Sequence, residues 1–222
     1  MIDNTSAFNS FEYDRKIRQT MPYYEEYYRQ IIELVKTVYK SPVNWLDIGC
    51  GTGMMGAAAF DQIQIKRFIF MDSSEAMINL TKERFSYPNA EFIVRDVRDL
   101  SVLNQFDVVT AVQVFHFLDR DERSEAVKKC YEALKENGSF IYFENTAPFT
   151  ETGREVYLDK WKRFQIEQGK SLAEAMDHID RYGRDYYPIT IEEHLHLLRE
   201  CGFKAVEVLW FSNMQAGFWG MK

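Results

Sequence analysis

The stretch from Val43 to Gly56, VNWLDIGCGTGMMG, constrains this chain more than any other. Val43 to Ile48 is a short, mostly apolar run of the kind buried on both faces of a parallel sheet. It stops at Gly49, Gly51 and Gly53, and the small or apolar residues Met54 to Phe60 predict a helix packed closely on that sheet. Glycines at such a turn let backbone N–H groups approach a ligand that a Cβ would hold away. A nucleotide-type binding turn is expected here.

The glycines alone leave the cofactor open, because Gly51 to Gly56 also fits the GxGxxG dinucleotide fingerprint. Asp47, near the end of the strand, suits an amino-acid ammonium and would sit badly against a pyrophosphate. About 20 positions on, Arg67 to Met71 forms a second apolar strand ending in Asp72, placed to accept both hydroxyls of a ribose. Ala90 to Arg95 is a third strand. Asp96 after it can accept an adenine amine while the Val97 amide meets a ring nitrogen. Three acids thus fall at the ends of successive strands, the edge where open parallel sheets bind ligands.

DIGCGTG, then MDSSEAM, then RDV resemble class I S-adenosylmethionine (SAM) dependent methyltransferases. The resemblance implies an α/β fold, a doubly wound seven-stranded, mostly parallel Rossmann-like sheet, and SAM as cofactor with S-adenosylhomocysteine (SAH) as product. Its cofactor residues map onto Asp47, Gly49, Cys50, Gly51, Gly53, Asp72, Ser73, Met77, Asp96, Val97 and Gln113. Met77 would lie beside the adenine. FEYDRKIRQTMPYYEEYY is similar to the opening of a subgroup related to carboxy-SAM synthase, whose arm closes over the cofactor. By that likeness Tyr13 contacts the cofactor, Arg18 faces the methionine carboxylate and Tyr23 faces the acceptor.

Composition narrows the class. With 222 residues and 46% hydrophobic content, one substantial core is expected, and the chain reads as a single domain over 1–222. A net charge of −7 argues against a broad surface for phosphate backbones, so nucleic acid is not the expected partner. The odd cysteine count (Cys50, Cys130 and Cys201) and the polar N-terminus fit a reducing cytoplasm, and no membrane segment or metal-ligand cluster is expected. A homodimer is compatible with all of this.

Apolar spacing predicts a helix from Tyr23 to Tyr39, within a lid spanning 1–40. Ser73 to about Phe85 is the next helix after Asp72. Phe106 to Val112 is the fourth strand, and Gln113 to Leu118 leaves it beside the cleft. His116 there is a candidate general base or a wall of the acceptor pocket. Asp121 to Leu134 is an amphipathic helix stopped by Asn137-Gly138, followed by a strand from Ser139 to Glu144. From 145 to 189 strand character vanishes, and short helices separated by Gly153, Gly169 and Gly183 are expected to cap the acceptor pocket. Tyr157, Trp161, Arg184 and Tyr187 are its candidate lining, suited with Arg181 to an aromatic acceptor bearing an anionic group. A helix from Thr190 and a hairpin from Phe203 to Met221 close the chain.

The main expectation is methyl transfer to a small molecule by in-line displacement, with alignment carrying most of the catalysis. A carboxy-SAM synthase-like reaction is the alternative, although the loop GCGTG keeps a Gly where that enzyme typically has Ser. A non-catalytic SAM-binding subunit would have a degraded glycine loop. An NAD-linked oxidoreductase has only the glycine match in its favour.

Overall fold

A computed structural model describes residues 8–222. The part of the lid before Phe8 lies outside the described residues.

The chain enters through α1 (Tyr13–Thr20) and α2 (Tyr24–Val38), then lays down β1 (Val43–Ile48), α3 (Met54–Phe60), β2 (Ile65–Asp72), α4 (Glu75–Arg84) and β3 (Ala90–Val94). It continues through β4 (Phe106–Val112), α5 (Arg120–Ala133) and β5 (Leu134–Asn145). Beyond these come α6 (Glu151–Glu167), α7 (Leu172–Ile179), α8 (Ile191–Glu200), β6 (Ala205–Ser212) and β7 (Gln215–Met221). The strands form one seven-stranded sheet in the order β3-β2-β1-β4-β5-β7-β6. β1 to β5 pair in parallel, and β7 runs antiparallel between β5 and β6. The order reverses between β1 and β4, which opens a crevice at the carboxyl ends of those strands.

Strand alternation divides the core. Trp45, Phe68, Phe70 and Phe143 face one side, where α2 covers them with Tyr27, Ile31 and Val35. Leu46, Ile69, Phe140 and Tyr142 face the other, under α5 and α8. Helix α2 therefore packs on a face of the sheet, with Tyr27 stacked on Phe143 at 4.9 Å between ring centroids. Several helix starts carry a side-chain cap. The expected serine cap of α4 is Ser74, and capping boxes at Asp119–Glu122 and Thr190–Glu193 open α5 and α8.

Two boundaries differ from expectation. Asn137-Gly138 does not stop α5, which ends at Ala133; it lies within β5 as a bulge. Asn137 takes φ 62°, and its N–H donates to the carbonyl of Lys222, so the turn residues bend a strand that began at Leu134. In the insertion, α6 is a single 17-residue helix. Gly153 sits in its first turn, where its N–H caps onto Thr150 Oγ1, so this glycine starts a helix instead of separating two.

Candidate active site

The glycine turn after β1 is held open by its own backbone. Gly49, Gly51 and Gly53 all have positive φ, which side chains other than glycine adopt reluctantly. A Cβ on Gly51 would meet nothing within 4 Å, whereas one on Gly49 would strike Val114 at 2.5 Å. Gly51 thus presents bare backbone to a cavity of about 270 Å³ above the strand ends.

The acids end their strands as expected, with distinct surroundings. Asp72 accepts N–H donors from Gly51 (2.9 Å) and Ser74 (2.8 Å), tying the glycine loop to the start of α4. Burial still raises its pKa, outweighing those hydrogen bonds. Asp96 is held below the usual carboxylate range by Arg98, and it lines the cavity with Ser73, Met77 and Val97. Asp47 is buried deeper. Its Oδ1 accepts from Thr110, its Oδ2 is buried without a partner, and burial pushes its pKa up to about 8. Gly49 and Gly51 border it, and Tyr13 from α1 closes the same small recess. A neutral carboxyl with one unsatisfied oxygen under a glycine loop fits an incoming ammonium, which would convert it to the carboxylate. These residues therefore fit the amino-acid, ribose and adenine parts of SAM.

Elsewhere in the cavity wall His116 has a partner that sequence reasoning missed. Glu144, the end of the apolar body of β5, is fully buried and accepts from the backbone N–H groups of Val114, Phe115 and His116. Its Oε2 lies 2.6 Å from His116 Nδ1. Burial drives its pKa up, but the His116 charge and these hydrogen bonds outweigh burial and set it below the ordinary carboxylate value. The three amides and the imidazole come from one short turn, so Glu144 shapes that turn and orients His116 together. A charged residue closing an otherwise apolar strand, as Asp47 and Asp72 do, was the available signal.

Of the other candidates, Gln113 lines the cavity with φ 61°, its Nε2 buried and unpartnered, and Cys50 borders only the recess above Asp47. Gly53 instead packs against Thr81 and Phe85. Arg18 is not brought to the cavity; it pairs with Glu25 at 2.7 Å on the outer face of the arm, both side chains well exposed. Arg18→Ala is accordingly expected to change SAM affinity by less than about 1 kcal/mol, since solvent screens so exposed a pair. A calorimetric titration showing a larger loss would restore Arg18 to the cofactor.

The acceptor lining is redrawn more heavily. Tyr23 is exposed and packs edge-on against Trp210. Trp161 is buried as a strut, its Nε1 donating to the carbonyl of Thr20. Tyr157 packs in the core, while Arg184 and Tyr187 lie outside the cavity wall, with Arg184 paired to Asp185. The cavity is lined instead by Phe8, Met21, Phe117, His178, Arg181 and Tyr186, so a second histidine shares it with His116. Helical spacing identifies aromatic faces without saying which face meets a cavity.

A methyltransferase-domain family model matches residues 46–138, the glycine turn through the bulge of β5. The fold agrees across nearly the full length. A putative SAM-dependent methyltransferase from Methanococcus maripaludis superposes with a TM-score of 0.66 at 16% identity, covering 100% of this chain and 97% of that one. The chain has the fold of class I SAM-dependent methyltransferases. Magnesium protoporphyrin IX methyltransferase from Synechocystis, solved with SAH, gives a TM-score of 0.65 at 15% identity over 97% of this chain and 96% of its own. By sequence, the carboxy-S-adenosyl-L-methionine synthase of Helicobacter hepaticus is 26% identical over 89% of this chain and 85% of its own. That of Nautilia profundicola is 24% identical over 95% and 90%. Among the described residues no helix is long and apolar enough to cross a membrane.

Proposed function

We propose that this methyltransferase moves the methyl group of SAM to a small-molecule acceptor bearing a protic oxygen or nitrogen. One observation carries the reading: the open glycine loop with Asp72 and Asp96 faces the same cavity as His116, which is held by the buried Glu144. When bound, SAM supplies an electrophilic methyl on a sulfonium. Asp47 and the glycine-loop amides hold its amino-acid end, Asp72 its ribose, and Met77, Asp96 and Val97 its adenine. Glu144 accepts a hydrogen bond from the Nδ1–H of His116 and so fixes the tautomer, which leaves Nε2 to take the acceptor's proton as the new bond forms. The buried carboxylate then stabilises the imidazolium. Residues 1–222 act as one unit in the cytoplasm, with the arm preceding α2 as lid and 145–189 as acceptor cap; the expected partner is a small molecule, not nucleic acid or membrane.

The carboxy-SAM synthase relatives, matched along most of the chain, support a second reading in which the bound cofactor is a carboxylated SAM. Native mass spectrometry of the purified protein separates the two, because a retained adenosyl ligand heavier by a carboxyl group establishes the second. Calorimetry with SAM, SAH and NAD tests the cofactor itself. Binding of NAD and neither adenosyl ligand would overturn both readings.

Asp47 supplies an internal check. Its raised pKa favours the neutral form, a contribution to stability that is full below the ordinary value of 3.8 and lost as pH rises toward about 8. An ammonium beside it reverses that preference, so SAM binding near pH 7 is expected to release a proton. The observed binding heat should then vary with the ionisation enthalpy of the buffer, and Asp47→Asn should remove the variation. Heats independent of buffer in the unmodified protein would take Asp47 out of the cofactor site.

A further inference from the structure

We propose that His178 is the specificity-determining residue of the acceptor site, and that it selects an uncharged aromatic acceptor with a polar substituent remote from the methylated atom. The inference rests on the methyl-transfer reading of the cavity.

His178 closes the last turn of α7 and forms part of the cavity wall. Both its ring nitrogens are buried, and neither has a hydrogen-bond partner among the described residues. His194, buried more completely, differs in that its Nδ1 meets the hydroxyl of Tyr142 beneath α8. Aromatic rings enclose His178 instead. Phe8 stacks on it with planes 12° apart, Trp161 meets it edge-on at 5.2 Å, and Tyr186 lies 6.2 Å away. Burial pushes its pKa down to about 3, so at neutral pH it is an uncharged imidazole with one donor and one acceptor.

A buried polar ring with both nitrogens unmatched is a poor choice for packing, and a phenylalanine would fill the same aromatic box without that deficit. Its use becomes intelligible if an acceptor supplies the partner. Asn145 Oδ1 and Gln113 Nε2 in the same wall are also buried and unpartnered, so the cavity offers an acceptor oxygen, a donor amide and a neutral imidazole. Tyr186 bridges the two histidines, 5.8 Å from the His116 ring and 6.2 Å from that of His178. A planar molecule lying along Tyr186 would place its protic group at His116 and its far substituent at His178. Charge decides the class of that substituent. Arg181 reaches the cavity, but its Nε is committed to Asp185, while ionised Glu144 stands behind His116. An uncharged amide or hydroxyl suits this wall better than a carboxylate.

The test uses the full chain saturated with SAH, titrated with 4-hydroxybenzamide, 4-hydroxybenzoate and 4-methylphenol, beside His178→Phe and His178→Asn. The amide should bind most tightly, lose about tenfold in His178→Phe as one hydrogen bond disappears, and recover in part in His178→Asn. The methylphenol should bind both variants and the unmodified protein alike, and SAH affinity should not move. Without ligand, His178→Phe should melt at or above the temperature of the unmodified protein, because an unmatched polar ring has been removed. A marked drop in that temperature would make His178 a structural residue and overturn the proposal. So would tightest binding of the benzoate, equal binding of all three probes, or binding of none. Failure of SAH itself to bind would instead strike the methyl-transfer reading beneath it.

Discussion

Glu144→Ala is expected to lose about 3–5 kcal/mol of stability, since each buried donor left without its acceptor costs about 1–3 kcal/mol. The side chain is fully buried, and its removal would leave three backbone N–H groups and His116 Nδ1 without their acceptor. Glu144→Gln separates folding from chemistry. Its amide oxygen can still accept from the turn, but it has no charge to stabilise the imidazolium, so turnover should fall much further than SAM affinity. The pH dependence has a fixed sign. Because the folded pKa of Glu144 lies below its ordinary value, its contribution is present above that ordinary value and lost as pH falls through the folded one. Chemical denaturation from neutral to acidic pH should show the gap between the unmodified protein and Glu144→Gln narrowing as the solution becomes acid. A gap that stays constant would mean that Glu144 is not ionised in the folded protein.

Asp72→Ala is expected to weaken SAM binding by about 2–3 kcal/mol, the upper part of the range for a hydrogen bond to a charged group. The carboxylate accepts from Gly51 and Ser74, so its loss removes a ribose contact and also frees the glycine loop from α4. Asp72→Asn should lose less, since its carbonyl oxygen can keep one of the two backbone donors. Equal affinity for SAM in unmodified and folded Asp72→Ala protein, measured by calorimetry, would move the ribose elsewhere.

The strands were legible because each is an apolar run that ends sharply, at a glycine for β1 and at Asp72 for β2. The glycine turn and the three acids were legible for the same reason: a charge at the end of a doubly buried strand has few places to go but the sheet edge. Glu144 obeys the same logic, yet reading β5 for its apolar body hid it. The lid and the cap yielded much less. Tyr157, Trp161 and Tyr187 and the residues that do line the cavity, such as Phe8 and Tyr186, are chemically alike, and only long-range packing assigns them. Trp161 was a reasonable pocket candidate until its indole N–H was found on the carbonyl of Thr20. Arg18 failed for a local reason, because Glu25, in the first turn of the following helix, lies within its reach.

That bond from Trp161 to Thr20 joins the cap to the arm, and Asp14 at the other end of α1 accepts from Thr52 in the glycine loop and pairs with Arg84 of α4. Arm, cap and loop are therefore riveted into a single roof. A substitution that breaks the contacts of Trp161 or Asp14 is therefore expected to disturb the cofactor end and the acceptor end of the cavity together.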